Sequence, residues 1–173
     1  MGFKYPKHIR FECERCGICC GDTEKKVRSI LLLRIEAEHI SQKISMSLDE
    51  FVENIEDSEP YVYRMKKNAD GKCMFLKDNT CTVYQMRPLI CRFYPSELKS
   101  DSRDEYVFAF TEECPSIGKG FELKRDYFER LFKNAMRLMR KNSEITSETQ
   151  EKIGTEPLRC GKRNSSKPSR LSH

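Results

Sequence analysis

The stretch Cys13-Glu14-Arg15-Cys16-Gly17-Ile18-Cys19-Cys20 carries three cysteines at two-residue intervals and a fourth directly beside the third. Such density suits neither ordinary packing nor disulfides, and the spacing is that of metal or iron–sulfur ligands. C-x2-C-x2-C is the loop in which three thiolates of one turn hold three corners of an iron–sulfur cubane, while C-x2-C is equally a zinc half-site. Gly17 inside the loop and Gly21 after it suit a tight backbone turn. Adjacent side chains of an extended backbone point to opposite sides, so one tetrahedral site rarely takes both Cys19 and Cys20. The pair is therefore expected to divide, with Cys20 facing a second site; the alternative is that one of the two is not a ligand.

Outward from this knot, Cys73, Cys81 and Cys91 form a distant trio that needs one more thiolate for four-coordination, and Cys20 would supply it. Cys114, followed by Pro115, is the matching partner for Cys13, Cys16 and Cys19, because a Cys-Pro often completes ferredoxin-type loops. The alternative for the trio is a set of buried free cysteines acting as small hydrophobes. Cys160 stands apart and is read as no ligand. Arg15 sits inside the first loop, and Arg87 and Arg92 flank Cys91. These three guanidinium groups are candidates for contacting the cofactor, offsetting thiolate charge and donating hydrogen bonds; the alternative is an exposed charged surface. Tyr84, Phe93 and Tyr94 are expected in a core rather than in a pocket beside the cluster.

The remaining composition fits a small domain in need of such a staple. Of 173 residues 38% are hydrophobic, 34% are charged and none is tryptophan, so any core is lean. A structural zinc site in a small peptide contributes on the order of 10–16 kcal/mol at neutral pH. Nine cysteines would suggest disulfides in a secreted chain, but the opening MGFKYPKHIR lacks the apolar core of a signal peptide. With no run near the length of a membrane span either, a cytoplasmic protein with no membrane partner is expected. The net charge of +5 is weak support for nucleic acid, because eight thiolates around two divalent ions would bring it to about +1.

The chain reads as α+β, a small cysteine-rich, metal-stapled domain over 1–142 with short strands, irregular ligand loops and a C-terminal amphipathic helix. Residues 143–173 are expected to be a disordered polar tail. Residues 1–12 read as extended and Val27–Leu33 as a strand. Leu33, Ala37, Ile40 and Ile44 recur at helical spacing, and Ser47-Leu48-Asp49-Glu50 fits a capping box opening a helix that carries Phe51, Val52 and Ile55. Tyr61–Met65 and Lys72–Leu76 are expected to form a hairpin around Asn68–Gly71, which would put Cys73 on a strand. Residues 81–95 read as irregular, Tyr106–Phe110 as a strand, Cys114–Gly120 as a loop and Lys124–Lys141 as the clearest helix.

Other chemistries lack their residues. There is no P-loop and no G-x-G-x-x-G; His8, His39 and His173 are scattered, and Glu112-Glu113 reads as a solvated pair. Glu12 stands where the C-x3-C-x2-C loop of radical S-adenosylmethionine enzymes would need a cysteine. The combined pattern resembles the YkgJ-type cysteine-cluster family, described as a zinc- or iron-chelating domain. The match rests on CERCGICCG at Cys13 to Gly21, GKCMFLKDNTCTVYQMRPLICRFYP at Gly71 to Pro95, and CPSIGKG at Cys114 to Gly120, where Ser116 departs from a more usual glycine. The resemblance implies metal binding by Cys13, Cys16, Cys19, Cys20, Cys73, Cys81, Cys91 and Cys114 and implies no reaction; with the loop spacing, the expected cofactor is zinc or an iron–sulfur cluster such as 4Fe–4S. Flagellin lysine N-methylases carry a similar cysteine block. A cluster-dependent enzyme acting on a protein substrate is thus the second expectation, and a nucleic-acid module resting on the basic tail and the Lys/Arg-rich C-terminal helix is the third.

Overall fold

A computed structural model describes residues 2–100 and 105–154, with side chains as far as Thr146. One half of the fold grows from the apolar positions between residues 30 and 83. Helix α1 (Arg34–Ile44) buries Ala37 and Ile40 completely, as their helical spacing requires. It lies with a three-stranded antiparallel sheet in which β5 (Tyr63–Met65) is flanked by β3 (Leu31–Leu32) and β4 (Val52–Asn54). Helix α2 (Leu48–Phe51) starts at the expected capping box: the Glu50 carboxylate accepts from the Ser47 backbone N–H at 2.7 Å and from its hydroxyl at 2.5 Å. The helix ends after one turn. Val52 instead extends into β4 opposite Met65, where a β-branched side chain packs well, and Ile55 is not helical. The strand expected over Val27–Leu33 is confined to Leu31–Leu32, with Val27 76% exposed.

The turn expected at Asn68–Gly71 forms, closed by the Gly71 N–H on the Asn68 carbonyl, but the hairpin around it shrinks to one antiparallel bridge, Lys67 with Cys73, flanked by bonds from the Asn68 N–H to Lys72 and from the Met74 N–H to Lys66. Strand β5 is taken on both edges by β3 and β4, and residues 72–75 make only single bridges, Gly21 with Lys72 and Lys67 with Cys73. A two-stranded hairpin lies further on, between β6 (Leu76–Lys77) and β7 (Thr80–Cys81). Its two-residue turn, Asp78-Asn79, has positive φ at both positions, the geometry that matches strand twist and that Asn and Asp tolerate.

The second half is aromatic. Strand β1 (Phe3–Lys4) runs parallel to β9 (Tyr106–Phe110), which pairs antiparallel with β8 (Ser96–Ser100). Strand β2 (Arg10–Phe11) pairs with β10 (Ile117–Glu122), so Gly118-Lys119-Gly120 is strand rather than loop. Phe108, Phe128 and Phe132 are buried here, with Tyr5 stacked on Phe128 and Phe3 edge-on to Phe108 and tilted against Phe132. Phe128 and Phe132 come from helix α4 (Arg125–Gly154), which runs past the expected boundary at Asn142. Asn142 is itself buried: its Oδ1 accepts from the Ile35 N–H and its Nδ2 donates to the Pro60 carbonyl, both at 3.4 Å, pinning α4 to α1. The rest of the expected tail, with Cys160, lies outside the described residues.

Helix α3 (Leu89–Phe93) joins the halves. Leu89 and Phe93 belong to the aromatic core, whereas Ile90 and Cys91 pack against the first core. Its entry is fixed by Glu36, buried on α1, whose Oε1 accepts from the Leu89 N–H at 2.6 Å and whose Oε2 accepts from the Leu33 N–H at 3.1 Å. Burial pushes the Glu36 carboxyl above its usual range, while the two amides act against that. The architecture is thus mixed α+β, with short strands and a long C-terminal helix.

Candidate metal centre

The first cysteine loop is shaped by two residues with positive φ, Arg15 (55°) and Gly17 (75°). Gly17 begins the short 3-10 turn Ile18–Cys20, closed by a bond from the Cys20 N–H to the Gly17 carbonyl at 2.9 Å. A side chain at Gly17 would meet the side-chain amide oxygen of Asn79 at 3.1 Å, so backbone conformation and space both favour glycine there.

Two sets of contacts tie this loop to the distant cysteines. On one side the Cys73 N–H donates to the Cys20 carbonyl at 2.6 Å and the Asp22 N–H to the Gly71 carbonyl at 3.1 Å. Asp22 is anchored further, accepting at Oδ1 from Lys67 at 2.6 Å and from the Arg28 N–H at 2.8 Å. On the other side both Glu14 carboxylate oxygens accept from Lys119 at 2.8 Å, and one also accepts from the buried Ser116 hydroxyl at 3.3 Å. Thus residues 14 and 20–22 draw the Cys114 loop and the Cys73 segment toward a single loop.

The result is a cavity of about 930 Å³ whose walls include Cys13, Cys16, Cys19, Cys20, Cys73, Cys81, Cys91 and Cys114. All eight are free thiols. Cys73 and Cys114 are buried, Cys19, Cys20, Cys81 and Cys91 half-buried, and Cys13 and Cys16 exposed. Cys20, Cys81 and Cys91 pack against the core that contains Cys73, and the Sγ atoms of Cys19 and Cys20 are 3.7 Å apart. Cys19 also acts electrostatically on Cys73, Cys81 and Cys91. Both members of the vicinal pair therefore stand near the trio, whereas the sequence suggests that they separate. Among the described residues no three His, Cys, Asp or Glu side chains are gathered closely enough to hold a metal ion. The thiols line the cavity rather than close a coordination sphere, and as a donor set they suit a thiophilic metal.

Protonation differs around the cavity. The hydrogen bond to Cys20, followed by burial, pushes the Cys19 thiol well above its usual range. Burial is the first cause of the upward shifts at Cys73, Cys81 and Cys91, and the nearby Arg87 opposes it at Cys81 and Cys91. Arg15, Arg87 and Arg92 all line the cavity. Arg87 lies over the Tyr84 ring at 3.7 Å, and its carbonyl accepts from Arg92 Nε at 2.6 Å. Tyr84 lines the cavity too and is exposed, not core.

Three groups escape a reading of the sequence alone. Arg28, placed within an expected strand, lines the cavity and pairs with Glu113, which is therefore more than a solvated acid. Lys26 lies 3.9 Å from the same carboxylate. Tyr94 lines the cavity with its phenol oxygen buried and, among the described residues, without a hydrogen-bond partner. No local spacing signals an Arg–Glu pair separated by 85 positions.

A family model described as "CxxCxxCC: Putative zinc- or iron-chelating domain" matches residues 12–115. The chain belongs to the CxxCxxCC family. The matched span contains all eight cavity cysteines and stops well before Cys160. This CxxCxxCC chain is also 29% identical over 97 residues to the Uncharacterized protein MJ0661 of Methanocaldococcus jannaschii. That alignment covers 53% of the chain and 47% of the relative, so the chain spans about half the length of the curated relative it matches. No solved structure matches it. Among the described residues no helix is long and apolar enough to cross a membrane.

Proposed function

We propose that the chain is a metal-binding protein whose cysteines hold zinc or an iron–sulfur cluster, of the 4Fe–4S type if iron, in a reducing cytoplasmic setting. The observation that carries this reading is the convergence of eight free thiols from three separate chain segments on one cavity. Cys19, Cys20, Cys73, Cys81 and Cys91 would serve the inner site, with Cys13, Cys16 and Cys114 as the other ligands. Bound metal would supply the cross-link that a lean core lacks, and would favour thiolates over thiols. Arg15, Arg87 and Arg92 would offset the resulting negative charge. A mercurial titration tests this: stepwise thiol blocking should release zinc or bleach an iron–sulfur chromophore in proportion. Blocking all eight thiols without releasing metal would sink the reading.

The cavity also supports a second reading, in which the metal assists modification of a protein substrate. A structural tetrahedral site is closed by its four ligands, whereas about 930 Å³ leaves room beside one. Retention of an organic cofactor by the purified protein would favour this reading, and a fully thiolate-closed site would argue against it.

A further inference from the structure

Two polar atoms beside the cavity have no acceptor among the described residues: Tyr94 Oη and Arg28 Nε, both buried. They belong to one arrangement, since the Arg28 guanidinium stands 5.4 Å from the Tyr94 ring centroid and both residues line the cavity. The other end of Arg28 is fixed by Glu113, which aims the guanidinium without occupying Nε. Cys114 and Cys19 line the same cavity as these two donors, and their charges act on Tyr94, as that of Arg28 acts on Cys19. A buried donor normally finds a partner, so two orphans on one wall point to an acceptor that forms only in another state of the site. A protonated thiol is a weak acceptor; a metal-bound thiolate is a strong one, and hydrogen bonds to ionised acceptors are the stronger kind.

We propose that Tyr94 and Arg28 are positioning residues whose Oη and Nε donate hydrogen bonds to the thiolates of Cys114 and Cys19 once these bind metal. The inference rests on the metal-binding reading above. The two donors would orient the sulfur lone pairs and stabilise their charge, coupling the Cys-Arg-Phe-Tyr segment at Cys91–Tyr94 to the first and third cysteine segments.

The test is anaerobic titration of the metal-free full chain with Co2+, which gives thiolate-to-metal charge-transfer bands. The variants are Tyr94→Phe, which keeps the ring, and Arg28→Lys, which keeps the charge but removes Nε. Tyr61→Phe, outside the cavity wall, is the control. Loss of such a partner typically lowers metal affinity by roughly 10–100-fold. Tyr94→Phe and Arg28→Lys should show that loss, with the charge-transfer band moved to longer wavelength because the sulfur lone pairs are less stabilised. Tyr61→Phe should match the wild type. Folded variants with wild-type affinity and band position overturn the inference. Weaker binding with an unmoved band overturns it as well, since displaced ligands would account for that. A wild type that takes up no Co2+ removes the metal reading itself and this inference with it, a result distinct from the other two.

Discussion

Replacing Gly21 by alanine should loosen the joint between the first cysteine loop and the Cys73 segment. At φ −171° the residue is extended, so alanine meets no backbone strain and the effect is purely steric. The new Cβ would stand 3.0 Å from the Gly71 carbonyl oxygen and 3.0 Å from Lys72 Cα, both backbone atoms that cannot rotate aside. Relief requires residues 20–22 and 71–73 to move apart, across the bonds from Cys73 N–H to Cys20 and from Asp22 N–H to Gly71. Overpacking of this kind costs about 1–3 kcal/mol. For a chain of this size each kcal/mol lowers the melting temperature by about 2–4 °C. Thermal melts of wild type, Gly21→Ala and Gly2→Ala make the comparison, since nothing lies within 4 Å of a Cβ at Gly2. Zinc titrations of the same proteins should show weaker uptake only for Gly21→Ala. If its melting temperature stays within about 1 °C of wild type and zinc uptake is unchanged, backbone contact at Gly21 does not set the Cys20–Cys73 arrangement.

Glu36 has its carboxyl raised by burial, so its protonated form is favoured in the fold. Stability should therefore fall as pH climbs from the ordinary carboxylate range through the raised value, and Glu36→Gln should flatten urea midpoints across that window. Because burial raises the Cys73, Cys81 and Cys91 thiols, zinc must displace protons from them. Competition titrations from pH 6.5 to 8 should show affinity rising about tenfold per pH unit for each proton displaced, and a flat profile would exclude these thiols as ligands. Asn142→Ala leaves the Ile35 N–H and Pro60 carbonyl without a side-chain partner and should destabilise by about 1–3 kcal/mol in urea unfolding. No change would mean that α4 is not held to α1 at this residue. Cys16→Ser, in the exposed loop, should spare zinc uptake more than Cys19→Ser, beside the buried thiols; equal losses would argue against an inner site built on Cys19.

What was legible in the sequence is what local chemistry fixes. The helical spacing of Ala37 and Ile40, the Ser47–Glu50 cap and the apolar stripe with Phe128 and Phe132 are each visible within a few residues, and each forms the expected element. The cysteine spacing likewise marks out the eight thiols that share the cavity. What stayed hidden depends on distant partners. Lys72–Leu76 looks like the return of a full hairpin, but β5 is already paired on both sides, so the return is limited to the Lys67–Cys73 bridge while the Cys73 N–H bonds to Cys20. The polar residues after Asn142 gave no sign of a helix, yet Asn142 is anchored by residues far earlier in the chain. Arg28 and Glu113 become neighbours only when the third cysteine segment folds back toward the first. The vicinal pair was the subtlest case: alternation holds for an extended strand, but Ile18–Cys20 is a 3-10 turn, and there both thiols can stand near one set of partners.

If these thiols hold metal, the chain carries it when purified with its thiols protected. Zinc, iron and acid-labile sulfide should be measured, with a visible spectrum, on full-length chain purified without oxygen. The expected result is zinc, or iron with sulfide and a brown chromophore, at substantial occupancy, and loss of that content when Cys73 and Cys91 are replaced by serine. A colourless wild type carrying neither metal would contradict it.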